Sequence, residues 1–61
     1  MESAISKELR EYLELLEAQT AEAEALKVKP TKAGALRLRK RSLVLDKANK
    51  SMRKTTISEI G

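Results

Sequence analysis

Pro30 stands at the middle of this 61-residue chain, and no glycine or second proline interrupts the residues before it. A proline inside a helix removes a backbone hydrogen bond, clashes with the preceding turn and biases the residue before it toward extended geometry. The chain is therefore expected to form two helices rather than one. Their similar lengths and short connection predict an all-α, antiparallel two-helix hairpin of coiled-coil-like character. The expected unit spans 1–61, with a helix over about 3–28, a turn over about 29–31 and a helix over about 32–60.

The segment before Pro30 is rich in Glu, Leu and Ala, all strong helix formers. Ser3 is placed as its N-cap, since a short hydroxyl side chain accepts from an orphan N–H of the first turn. Ile5, Leu9, Tyr12, Leu16, Gln19, Ala23 and Leu26 recur at alternating steps of four and three, the spacing of a coiled-coil seam. Leu13 and Leu15 widen that stripe, and Ala18, Ala21, Ala23 and Ala25 would let a neighbouring helix approach closely. Tyr12 reads as seam packing.

After the proline, Thr31 is a candidate N-cap, with Pro30 in a first-turn position as the alternative. At 100° per residue Gly34, Leu38, Arg41, Leu45, Ala48 and Met52 share the face that packs on the first helix. Gly34 costs about 1 kcal/mol relative to Ala in a helix, and close backbone contact near the turn would offset it. Asp46 is expected to pair with Lys50 at i+4. Glu8, Glu11, Glu14 and Glu17 form a solvated face that can pair with the basic helix. Ser42, Ser51, Thr55 and Thr56 lie among cations, where phosphorylation would reduce affinity for anions.

Charge divides sharply at the turn. Residues 1–30 carry seven acids against four bases, and residues 31–61 carry nine bases against two acids, so the net +4 resolves into −3 and +7. Opposite the expected seam, Lys40, Lys47 and Lys54 follow at intervals of seven, flanked by Lys32, Arg39 and Lys50. Leu36, Leu43 and Ile57 lie within the same face. That asymmetry points to a polyanion or an acidic surface as partner. With Tyr12 the only aromatic, there is no stacking platform for single strands or RNA, so recognition is expected to be electrostatic.

The arithmetic of size excludes much else. A chain of about 60 residues buries only about 60% of its unfolded surface, and such units lean on disulfides, metals or association. Without Cys or His, disulfides and zinc are excluded. Oligomerisation, or docking on a larger assembly, is the expected support. No catalytic residues, cofactor or metal are expected, and the chain is read as a non-enzyme. Its N-terminus shows no signal-peptide pattern and no stretch suits a membrane span.

The run Arg37-Leu38-Arg39-Lys40-Arg41-Ser42-Leu43-Val44-Leu45-Asp46-Lys47, continuing through Lys50, Arg53, Lys54 and Ile57 and preceded by Lys32-Ala33-Gly34, resembles a known family. It is similar to the linker-histone-like small DNA-binding proteins of bacteria and phages, the helical part of the chlamydial-type histones. The likeness covers about half of the chain. It implies sequence-independent binding and compaction of double-stranded DNA, with backbone contacts from Arg37, Arg39, Lys40, Lys47, Lys50, Arg53 and Lys54; charge adds Lys32. Val44 and Asn49 stand where relatives commonly carry charged or long side chains, which shifts the face toward protein contacts.

Two functions are therefore expected to compete. One is a self-associating, histone-like DNA binder of the cytoplasmic nucleoid. The other is a structural component of a phage virion or another assembly, gripping an acidic capsid or other protein surface through the same helix. Neither involves a membrane or secretion.

Overall fold

A computed structural model describes residues 3–61; Met1 and Glu2, one of the seven acids above, lie outside the described residues. Two helices, α1 (Ala4–Val28) and α2 (Lys32–Glu59), pack against one another as an all-α hairpin. The turn is short because each of its residues has one task. Lys29, at φ −138° and ψ 96°, adopts the extended geometry imposed by the following proline, while its N–H still bonds the Ala25 carbonyl at 2.9 Å. Thr31 then caps α2, its Oγ1 accepting from the Gly34 N–H at 3.1 Å. Pro30 thus sits just outside the helix rather than in its first turn. Ser3 caps α1 in the same way, accepting from the Ser6 N–H at 3.2 Å.

The hairpin measures 41 × 21 × 14 Å, one helix thick. A single layer has no interior, and among the described residues Gly34 alone is buried. The seam is half-buried. On α2 it runs along Gly34, Leu38, Arg41, Leu45, Ala48 and Met52, the expected face, and continues through Thr55 and Thr56.

On α1 the expected seam is corrected. Ile5, Tyr12, Gln19 and Leu26, seven residues apart, lie on it as expected, and Leu9 is half-buried as expected too. Between them, however, the half-buried positions include Glu8, Leu15 and Glu22, whereas Leu16 and Ala23 are exposed. Hydrogen bonds across the seam account for the roll. Glu8 and Glu22 bond residues of α2, and turning that edge inward carries Leu16 and Ala23 outward. The alanines are corrected too. Ala18, Ala21, Ala23 and Ala25 are all exposed, and the close approach is made by Gly34 instead.

A Cβ at Gly34 would lie 2.8 Å from Leu26 Cδ2, 2.8 Å from Thr31 Oγ1 and 3.4 Å from Glu22 Oε2. The residue therefore lets α2 begin directly under the last turns of α1. Replacing it tests this packing. Gly34→Ala adds helix propensity worth up to about 1 kcal/mol. It also displaces the capping hydroxyl, worth about 1 kcal/mol, and overpacks against Leu26 at about 1–3 kcal/mol. The expected net outcome is a loss of about 1–3 kcal/mol, read as a lower Tm by circular dichroism at matched protein concentration; a raised Tm would contradict the close-packing account.

Candidate nucleic-acid interface

Antiparallel pairing about Pro30 decides which side chains meet. Tyr12 donates its hydroxyl to Asn49 Oδ1 at 2.5 Å, and Ser51 Oγ donates to Glu8 Oε1 at 2.5 Å. Gln19 Nε2 donates to the Leu38 carbonyl at 3.1 Å, while Gln19 Oε1 accepts from Arg41 Nη1 at 3.4 Å. Arg37 grips Glu22 with both arms, Nε to Oε1 at 2.7 Å and Nη2 to Oε2 at 3.4 Å. Arg41 approaches the same carboxylate at 4.0 Å and donates to the Ala18 carbonyl at 3.4 Å. Forked donation to a carboxylate combines charge with fixed geometry, so Arg37 is committed to the hairpin.

The nine cations of the second half therefore separate by task. Arg41 lies in the seam, where sequence periodicity places it, and Arg37 turns back onto α1. Seven others, Lys32, Arg39, Lys40, Lys47, Lys50, Arg53 and Lys54, are exposed, and none pairs with an acid among the described residues. At 100° per residue they occupy an arc of about 140° centred opposite the seam, and at 1.5 Å per residue they extend about 33 Å along α2. Within that arc Leu36, Leu43 and Ile57 are 46%, 65% and 70% exposed. The outer surface of α2 is thus a cationic ridge with leucine and isoleucine set into it. Asp46 is exposed and does not pair with Lys50, so that expected i+4 contact is corrected. Each side chain remains separately solvated, where an exposed pair gains little.

The acidic helix supplies fewer partners than its charge suggests. Glu22 and Glu8 engage α2, whereas Glu11, Glu14 and Glu17 are exposed. Among the hydroxyls, Ser51 is held by Glu8, Thr56 Oγ1 donates to the Met52 carbonyl at 2.8 Å, and Ser42 is exposed. Among the described residues no pocket opens, and no helix is long and apolar enough to cross a membrane.

The signal for Arg37 was present in the sequence. Bonded residues across the seam have numbers that add to about 60, twice the position of the proline, so residue 37 falls opposite 22 and 23. Pairing about the turn would have identified Glu22 as its partner before any face was assigned. No protein-family model, curated protein or solved structure matches the chain.

These contacts make stability depend on pH in one direction. Ser51 and then Thr55 hold the Glu8 carboxyl below its ordinary range, and hydrogen bonding to Arg37, aided by its charge and that of Arg41, does the same at Glu22. Because the folded carboxyls bind protons less readily than the unfolded ones, the unfolded chain takes up more protons on acidification. The contribution is full above the ordinary carboxylate range of about 4.3 and is lost as pH falls through and below it. Thermal melts at pH 7 and pH 3 should show a lower Tm in acid, with a smaller drop in Glu22→Gln; an equal drop would remove Glu22 from the account.

Proposed function

We propose that the protein binds double-stranded DNA without sequence preference and compacts it, as a histone-like protein of a nucleoid or a phage particle. One observation carries this reading: seven exposed cations share one face of α2 and have no acidic partner among the described residues. A ridge about 33 Å long matches about one turn of B-DNA, whose pitch is about 34 Å. Since a straight helix cannot follow a curved groove throughout, about six phosphate contacts are expected. Each would release a counterion, giving a slope of log K against log salt near −5. The face has no aromatic residue and offers no stacking contact to a base. The resemblance of residues 32–57 to linker-histone-like proteins supports the same function. Arg37, included there, is left out of the contact set because Glu22 holds it.

A second reading has an observation of its own. Leu36, Leu43 and Ile57 interrupt the ridge, and phosphates give an apolar side chain nothing to contact. An acidic amphipathic helix or protein surface would satisfy both kinds of residue, as in a structural component of a virion or another assembly.

Gel-shift titration with unrelated duplexes at two salt concentrations separates these readings. Sub-micromolar, salt-steep and sequence-indifferent retardation is expected, and absence of retardation at low salt would sink the DNA reading in favour of the protein partner. In the same assay, combined Lys40→Glu, Lys47→Glu and Lys54→Glu should weaken binding at least tenfold with helicity retained. Arg37→Gln should change affinity less than about twofold, because its charge is already matched by Glu22.

A further inference from the structure

We infer that a second copy of this chain covers the broad face of the hairpin that carries Leu9, Leu13 and Leu16, giving an antiparallel four-helix bundle. Helical angle separates the two broad faces. Taking the seam as reference, Glu8 and Glu22 of α1 and Arg37 and Ser51 of α2 fall to one side, where they bond one another. Leu9, Leu13 and Leu16 fall to the other. Leu13 is 57% exposed and Leu16 36%, and among the described residues the cross-helix hydrogen bonds on this side, Tyr12–Asn49 and Gln19–Leu38, lie at the seam's edge. The roll of α1 that buries Glu8 and Glu22 is what turns Leu13 and Leu16 out, while Leu9 stays half-buried at the inner border of the face.

Three observations select a second copy as the occupant. The first is thickness: a layer 14 Å deep holds no buried apolar side chain among the described residues, and stable domains are built from two packed layers. The second is area. The broad face of 41 × 21 Å has a footprint of roughly 860 Å², close to the 800 Å² or so that each partner contributes to a standard stable interface. The third is charge. An isologous contact sets a patch against itself, so the cationic ridge of α2 would repel its own copy. The Leu13 face has no such excess. Its rim carries Glu17, Glu24 and Lys27 on α1 and Arg39, Asp46 and Arg53 on α2, both signs together.

That rim also orients the pair. With α1 of one copy over α1 of the other, Glu17 and Glu24 would lie against a second net-acidic helix. With α1 over α2 of the partner, at the register that pairs residues adding to about 60, Glu17 and Glu24 flank Arg39 of the second copy. All neighbouring helices are then antiparallel, and the two cationic ridges lie on opposite sides of the bundle. If the DNA-binding reading holds, such a dimer bridges two duplexes; dimerisation itself does not rest on that reading.

The test uses the full chain without DNA, so its failure is distinct from failure to bind DNA. Sedimentation equilibrium should give twice the 6.8 kDa chain mass, with a Tm that rises with protein concentration. Leu13→Glu with Leu16→Glu should shift the mass to one chain. A wild type that sediments as one chain throughout, or a double variant that remains a dimer, overturns the proposal. Folding of that variant need not be assumed. Glu17→Arg with Glu24→Arg should weaken dimerisation at least tenfold and Arg39→Glu should restore it in the combined variant. Dimerisation that this charge exchange leaves unchanged, or that Arg39→Glu fails to restore, overturns the antiparallel arrangement.

Discussion

The corner formed by Pro30, Thr31 and Gly34 is the constraint from which the rest of this hairpin follows. Proline stops α1 by forcing Lys29 out of helical geometry, and Thr31 starts α2 by accepting the Gly34 N–H. Gly34, lacking a Cβ, lets the new helix begin within reach of Leu26. A turn of so few residues leaves no slack in register. Tyr12 therefore meets Asn49, Gln19 meets Arg41 and Glu22 meets Arg37. A longer or more flexible connection would let the helices slide, and the Arg37–Glu22 pair would lose its geometry.

Register fixes height along the seam but leaves the roll of each helix open, and polar groups decide it. Apolar side chains flank both edges of the Ile5–Tyr12–Gln19–Leu26 line, so hydrophobic burial alone discriminates weakly between the two rolls. Hydrogen bonds from Ser51 to Glu8 and from Arg37 to Glu22 favour one of them. The result is a thin layer whose apolar residues are at best half-buried. Domains this small have little surface to hide, and this one leaves a leucine edge uncovered while closing the opposite edge with charge.

Electrostatics divides the same way. Two of the nine cations after Pro30 are used inside the hairpin, one as a fork on Glu22 and one in the seam. The other seven remain on the far side of α2, and none pairs with an acid among the described residues. Folding therefore separates charge across the width of the molecule. The net +4 of the sequence understates the field on the outer surface, where cations are concentrated and α1 offers no acid to screen them.

Much of this was legible without coordinates. Pro30 dictated two helices, and Ser3 and Thr31 marked their starts because a hydroxyl before a helix-forming run has an orphan N–H to accept. Gly34, Leu38, Arg41, Leu45, Ala48 and Met52 were identifiable as the inner face of α2, since period alone assigns a face when one stripe is clearly best. On α1 period was insufficient: two overlapping stripes share the same sevenfold line, and only contact with α2 chose Leu15 and Glu22 over Leu16 and Ala23. The basic ridge could be placed from spacing, yet membership depended on which arginines fold back, as Arg37 does. The sequence by itself determined where the helices begin, end and reverse, because capping, proline geometry and propensity act within a few residues. Only the tertiary structure decided the roll of α1 and the exposure of Leu13, because each depends on side chains far apart in the chain competing for the same few ångströms of seam.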